Sequence, residues 1–234
     1  GFLESTPAGI HVTPLGELGA RVKAENELWT SLVLLDETLG RLSPISFIGV
    51  LSCVIAEESS RGGTTFIGVS ASDETCKVSE QLATAGAALA ADQADFGLEF
   101  PVNLVLEEAA LPEYWASGAS WVDMVGATSL QEGDICRKLR RVMDLLRQIP
   151  RLPQVPESVK KNAKRGLMLL NRFPVSDDVT YKVEDLDESE VEERDLGDEA
   201  FDGSEIEDEM NLSGVADQDA EYEEEDEEDE EDEK

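Results

Sequence analysis

Apolar side chains recur with a helical period in the segment GDICRKLRRVMDLLRQIP, which begins at Gly133. Five of them are spaced four, three, four and three residues apart, so they share one face of an α-helix. They are Ile135, Leu139, Val142, Leu146 and Ile149. The spacing predicts an amphipathic helix of roughly 16 residues, about 24 Å long, whose apolar side is buried in a core.

The other side of this predicted helix carries guanidinium groups. Its polar positions repeat the helical spacing or lie on the adjoining flank: Arg137, Arg140, Arg141, Asp144, Arg147 and Gln148. Arginine is well suited to binding phosphate and to stacking on a base. Alternatively, this is a solvated face in which Asp144 pairs with Arg140 and Arg141, although such pairs contribute only about 0.3–0.5 kcal/mol each.

Six further helical patterns precede or follow this segment. Thr13-Pro14 and Ser43-Pro44 read as an N-cap followed by a proline at the first helical position, and another helix starts at Asn26. The remaining three are an Ala-rich run, a segment between two prolines, and a last helix; they cover Asp73 to about Phe96, Pro101 to Pro112, and Glu157 to Asn171. In the Ala-rich run, the residues expected to face inward are Val78, Leu82, Ala85, Leu89 and Phe96.

Two local patterns precede the arginine-rich helix. Ser129 and Glu132 have the spacing of a capping box. Trp115 and Trp121 flank a glycine-containing turn, and we expect both indoles to be core, with a base-stacking platform as the functional alternative.

These patterns predict an all-α fold, a bundle of about seven helices over residues 13–175. Residues 1–12 are expected to be a linker from an upstream region. From Ser176 onward Asp, Glu, Gly and Ser dominate, which predicts a disordered acidic tail over residues 176–234, because such a segment buries too little apolar surface to offset its ordering entropy.

The net charge of −34 is distributed unevenly. The segment from Ser176 onward holds 31 acidic and 3 basic residues, whereas Ile135–Val175 holds 11 basic and 2 acidic residues. The total charge of the chain would suggest a protein that repels nucleic acid. The segment Ile135–Val175, however, has a net charge of +9.

The sequence offers little for catalysis. It has no phosphate-binding loop, no dinucleotide signature after a strand, and one histidine, His11, which we expect to be inert at the surface. Glu57-Glu58 and Glu107-Glu108 are interpreted as solvated faces, so no catalytic or metal site is expected. Three cysteines without metal-like or disulfide-like spacing indicate reduced thiols in an intracellular protein, and no apolar run is long enough for a membrane span.

Several short motifs, taken in their order along the chain, together resemble one protein family. TPLG at Thr13, ENELW at Glu25, LSP at Leu42, the two-tryptophan segment, EGD before the arginine-rich helix, and RFPV at Arg172 together resemble the C-terminal DSHCT domain of superkiller-type DExH-box RNA helicases. The sequence from SWVDMVGATSL to LLRQIP most resembles that of the chloroplast branch of the family in plants and algae, the increased-size-exclusion-limit helicases. The resemblance implies a chloroplast location; without it, nucleus or cytoplasm would be equally compatible.

In that family, two RecA-like ATPase domains, which this chain lacks, use ATP and Mg²⁺ to pull single-stranded RNA 3′ to 5′ during RNA processing or decay. The helical domain closes the channel, and its ratchet helix touches the strand. By position, Arg141 and Asp144 would contact RNA, helical geometry adds Arg137 and Gln148, and Arg140 and Arg147 lie on the flank. The chain alone should not hydrolyse ATP.

In the alternative class of function, the acidic tail carries the activity. The run Glu223–Glu233 could bind basic partners such as ribosomal proteins or histones, could mimic RNA toward the cationic helices, or could simply aid solubility. RNA binding by the helical part, and binding of basic proteins by the full chain, distinguish these hypotheses.

Overall fold

A computed structural model describes residues 1–7, 9–56 and 66–176. The expectations for Glu57-Glu58 and for the tail beyond Ser176 lie outside these residues. The described part contains a two-stranded hairpin and eight α-helices, which confirms the all-α class. The elements are β1 Leu3–Thr6, β2 Gly9–Val12, α1 Pro14–Gly19, α2 Glu27–Leu34, α3 Pro44–Val54, α4 Asp73–Asp95, α5 Ala110–Ala116, α6 Trp121–Gly126, α7 Glu132–Gln148 and α8 Glu157–Leu170.

Polar side chains set the starts of the first four helices. Each accepts a hydrogen bond from a backbone N–H of the first turn, which otherwise has no intrahelical partner. The capping residues are Thr13, Asn26, Ser43 and Ser72. The three predicted starts are therefore confirmed.

Helix α3 lies at the centre of the bundle. Every residue from Ser46 to Val54 is buried, because α4, α5 and α8 all pack against it. A helix that is apolar on all sides is typical of such a position. Helix α7 packs mainly on α8, so it lies at the periphery and has one side available to solvent.

A buried carboxylate, that of Glu113, connects α5 to the start of α4. Glu113 of α5 accepts hydrogen bonds from the backbone N–H of Ser72 at 2.7 Å, from its hydroxyl at 3.0 Å, and from the Thr75 hydroxyl. Gly49 of α3 lies directly beside this carboxylate; a Cβ added there would come closer to Glu113 Oε1 than any real Cβ contact. The carboxylate is buried because these donors replace water.

Helix α4 buries three of the five residues predicted to face inward, Val78, Leu82 and Leu89. Gly86 and Gln93 are buried, whereas Ala85 is exposed and Phe96 is 82% exposed. The prediction was wrong at Ala85 and Phe96 because the buried stripe follows steps of four, three and four from Leu82. Phe96 is the C-cap residue, beyond the last turn that contacts the core.

Two predictions about helix ends were also wrong. Pro112 lies in the first turn of α5 and does not bracket a helix, because first-turn N–H groups need no intrahelical partner. The capping box is formed by Ser120 and Asp123 at the start of α6, while α7 begins after Gln131 without a side-chain cap.

Strands β1 and β2 pair in antiparallel fashion, with Leu3 opposite Val12 and Thr6 opposite Gly9. The hydroxyl of Thr13 donates to the carbonyl oxygen of Phe2 at 3.0 Å and joins this hairpin to α1. His11 lies on the exposed second strand, as expected of a surface residue.

Candidate nucleic-acid interface

Helix α7 separates its apolar and polar sides as the sequence predicts. The five apolar positions are all at most 2% exposed, and Met143 and Leu145 are buried as well. The apolar side faces α8, where Gly166 lies next to Leu146: a Cβ at residue 166 would lie 3.6 Å from Leu146 Cδ1, an ordinary contact distance. The helix is thus fixed along its length, and its polar side is held in a defined orientation.

An open cavity of about 460 Å³ runs along the polar side. Five residues of α7 line it: Gly133, Arg137, Arg140, Arg141 and Asp144. We call it the arginine groove. Gly133 faces open space, because a Cβ there would meet no atom within 4 Å among the described residues.

Two arginines of α7 pair with carboxylates one turn toward the N-terminus. Arg137 Nη1 lies 2.8 Å from Asp134 Oδ1, and Arg147 Nη1 lies 3.0 Å from Asp144 Oδ1. The expected pairs of Asp144 with Arg140 and Arg141 are not the ones formed. Helical side chains lean toward the N-terminus, which brings an arginine to an acidic residue three positions before it.

Arg141 and Gln148 both reach the link between α1 and α2. Arg141 Nη2 lies 3.3 Å from Glu25 Oε2. The side-chain amide of Gln148 accepts from the backbone N–H of Lys23 at 2.8 Å and donates to its carbonyl oxygen at 3.3 Å. These contacts join the polar side of α7 to the link between α1 and α2, and they give Gln148 a structural role.

Arg140 connects the groove to the segment after α8. Its Nε donates to the carbonyl oxygen of Val175 at 2.6 Å. A few residues earlier, Arg172 stacks on the Trp115 ring, with Cζ 3.7 Å from the ring centroid, and also donates to the Trp115 carbonyl oxygen. Desolvation lowers the pKa of Arg172.

The two tryptophans have different environments. Trp115 is buried, and its Nε1 donates to the Leu170 carbonyl oxygen at 3.0 Å, which confirms its core role. Trp121 packs edge-on against it, with ring centroids 5.8 Å apart, but is only half-buried. Its Nε1 donates to Glu132 at 3.1 Å, at the start of α7. The expectation of a core residue therefore holds only in part for Trp121.

One ion pair on α7 was missed by the sequence reasoning. Glu108 is buried and lies 2.5 Å from Lys138 Nζ, whereas its neighbour Glu107 is exposed. The interpretation of both as solvated faces was wrong for Glu108. A buried carboxylate is kept where a cation and its hydrogen bond replace water. No local pattern signals this pair, which joins residues 30 positions apart.

The described residues contain no cluster of side chains suited to metal binding. No group of three or more His, Cys, Asp or Glu side chains in this part of the chain could hold a metal ion. Burial raises the pKa of the Cys53 thiol to about 12, so it is not a nucleophile at neutral pH. None of the described helices has the length and apolar character to cross a bilayer.

The DSHCT (NUC185) domain family matches residues 10–178, and the chain belongs to this family. A relative from Arabidopsis thaliana, the chloroplastic DExH-box ATP-dependent RNA helicase DExH15, is 31% identical over 169 residues. The match covers 71% of this chain and 14% of the relative, so the chain corresponds to a small part of that protein's length. The fold and the family thus agree with the resemblance carried by the sequence motifs.

Proposed function

We propose that this chain is the RNA-channel domain of an ATP-dependent RNA helicase and that α7 contacts single-stranded RNA as the strand moves. The observation that carries the proposal is the arginine groove: three guanidinium groups line an open cavity on the one polar side of a helix that is otherwise buried. Family membership supports the choice of an RNA ligand.

The groove has the chemistry to hold a phosphate backbone. Arg137 is largely exposed, and among the described residues its one ion pair, with Asp134, leaves most of the five guanidinium donors for a ligand. Exposed ion pairs contribute only about 0–1 kcal/mol, so a phosphate can displace them at little cost. Contacts of this kind position a strand without reading its sequence.

In this proposal, chemical energy comes from outside the chain. RecA-like motor domains would bind ATP and Mg²⁺ and move RNA 3′ to 5′ in RNA processing or decay, while α7 guides the strand. Arg137, Arg141 and Asp144 would contact RNA, and Arg140 and Arg147 would add positive charge beside it. Gln148 would act indirectly through its hydrogen bonds with Lys23. The chloroplast, where the relative's name places that protein, is the proposed location.

Fluorescence anisotropy of the full 234-residue chain with an oligouridylate of about twelve nucleotides tests this proposal. Replacing both Arg137 and Arg141 with alanine should weaken binding and reduce the salt dependence, by about 0.7 in the logarithmic slope for each phosphate that is no longer neutralised. Arg41→Ala is the control, because Arg41 is exposed, pairs with Glu37 and does not line the groove.

Equal affinities of the parent chain and the double variant would overturn the proposal. So would an absence of RNA binding at low salt. If the parent chain then bound a basic protein such as a histone, the function would be that of an acidic interaction protein.

A further inference from the structure

Phe173 is exposed on a segment that is otherwise anchored. Its side chain is 80% exposed, whereas Val175, two residues later, is fully buried. An exposed aromatic side chain gains nothing from the hydrophobic effect in the isolated domain. A single exposed phenylalanine is ordinary, so its position relative to the arginine groove is what gives it significance.

Contacts on both sides of Phe173 fix the backbone that carries it. On one side, Arg172 stacks on Trp115 and donates to backbone carbonyl oxygens of Trp115 and Ala119. On the other side, the backbone N–H of Val175 donates to the Arg172 carbonyl oxygen at 3.0 Å. The ring is therefore presented from a defined turn.

This turn is attached to the arginine groove. Arg140, which lines the groove, donates from Nε to the Val175 carbonyl oxygen at 2.6 Å. The Cα atoms of Phe173 and Val175 are at most about 7 Å apart, because two residues of extended chain span no more than this. Phe173 is thus two residues from the contact that Val175 makes with Arg140, and Arg172 precedes it in the sequence.

Phe96 provides a contrast within the same chain. It is similarly exposed, but its sequence neighbours are Asp92, Asp95 and Glu99. Carboxylates at that site repel a phosphate backbone, whereas the guanidinium groups near Phe173 attract it. Of these two exposed phenylalanines, only Phe173 combines an aromatic face with positive charge.

We propose that Phe173 stacks on an unpaired base of an RNA strand whose backbone lies in the arginine groove. This inference rests on the proposed function and adds to it a second contact, made by the segment after α8. Proteins that bind single-stranded nucleic acid combine a cationic groove with aromatic rings, because every base has a face on which a ring can stack. The contact is tolerant of sequence, as a moving strand requires.

The test compares two ligands on the full chain: an oligoadenylate of about twelve nucleotides, and an abasic ribose-phosphate oligomer of the same length. Phe173→Ala should weaken binding of the oligoadenylate about 5- to 100-fold and leave binding of the abasic oligomer unchanged. Phe173→Trp should restore affinity, and its indole emission should be quenched by the oligoadenylate. Phe96→Ala is the matched control, equally exposed and without effect on either ligand.

Unchanged melting temperatures of these variants establish that the fold is retained. If Phe173→Ala binds the oligoadenylate as tightly as the parent does, the inference is overturned. Should the arginine variants still weaken binding in that case, the proposed function stands and only the stacking contact is wrong. A chain that binds neither ligand overturns both.

Discussion

Arg141 of α7 lies 3.3 Å from Glu25, a residue of the link between α1 and α2. Both side chains are partly exposed, so their pairing is weak and reversible. Glu25 is therefore an internal anion that competes with any phosphate for Arg141, a residue that lines the arginine groove.

We expect Glu25→Gln to tighten binding of the oligouridylate about 2- to 5-fold at low salt, because the competing carboxylate is removed. Anisotropy titrations at about 50 and 200 mM salt check this, and the gain should shrink at the higher concentration. Glu37→Gln is the control: it removes the same charge from the exposed pair with Arg41, which does not line the groove. An equal gain from both variants would show that only total charge matters.

Leu146→Ala should lower the free energy of unfolding by about 2–5 kcal/mol, because Leu146 is completely buried and its truncation leaves a cavity against α8. Denaturant titration followed by circular dichroism measures the change. Leu98→Ala, at a position 43% exposed, should cost much less. Similar losses in the two variants would contradict the assignment of the buried side of α7.

The pH dependence of stability should reveal the role of Glu74 on α4. Burial acts to raise the pKa of this carboxyl, but hydrogen bonds from the Ser46 and Ser43 hydroxyls and the Ser43 backbone outweigh it, so the pKa is lowered. A lowered folded-state pKa gives stability that is present at neutral pH and lost as the pH falls through that pKa.

Glu74→Gln should therefore be less stable than the parent at neutral pH, and the difference should disappear in acid. Denaturant titrations across this pH range measure it. The control Glu80→Gln changes an exposed residue of the same helix. If the difference between Glu74→Gln and the parent persisted unchanged at acid pH, the hydrogen bonds would not act through the charged carboxylate.

Ending the chain at Ser176 should tighten RNA binding at low salt. The 58 residues removed carry 31 acidic and 3 basic side chains, and a polyanion on the same molecule repels RNA or competes for its cationic site. The difference between the full and shortened chains should vanish at high salt, where charges are screened. Equal affinities at low salt would show that the acidic tail does not inhibit RNA binding.

Periodicity predicted the fold best where burial is continuous along one face. Helix α7 shows this, because its five spaced apolar residues are all buried. The Ala-rich helix α4 was harder, since alanine and glycine give little contrast between faces. Gly86 is buried there because Trp29 packs against it, and that neighbour is distant in the sequence.

The surroundings of the candidate site depend on contacts between distant residues. The pattern placed six polar residues on one side of α7, but it could not show that Gln148 binds the backbone of Lys23 or that Arg140 holds Val175. Nor could it pair Glu108 with Lys138. Such partners are determined by how the helices and their links pack, and the local spacing of residues does not predict them.

The contact between Gly49 and Glu113 constrains which substitutions the bundle can accept. Any side chain at residue 49 would displace the carboxylate that holds the start of α4. Shortening residue 113 would remove the nearest obstacle, while the Thr75 hydroxyl would still lie 2.8 Å from the new Cβ and would have to turn away. It would also leave the Ser72 N–H and the Thr75 hydroxyl without that acceptor. Across related sequences these two positions should therefore vary together, so that a larger residue at the first accompanies a smaller, uncharged one at the second.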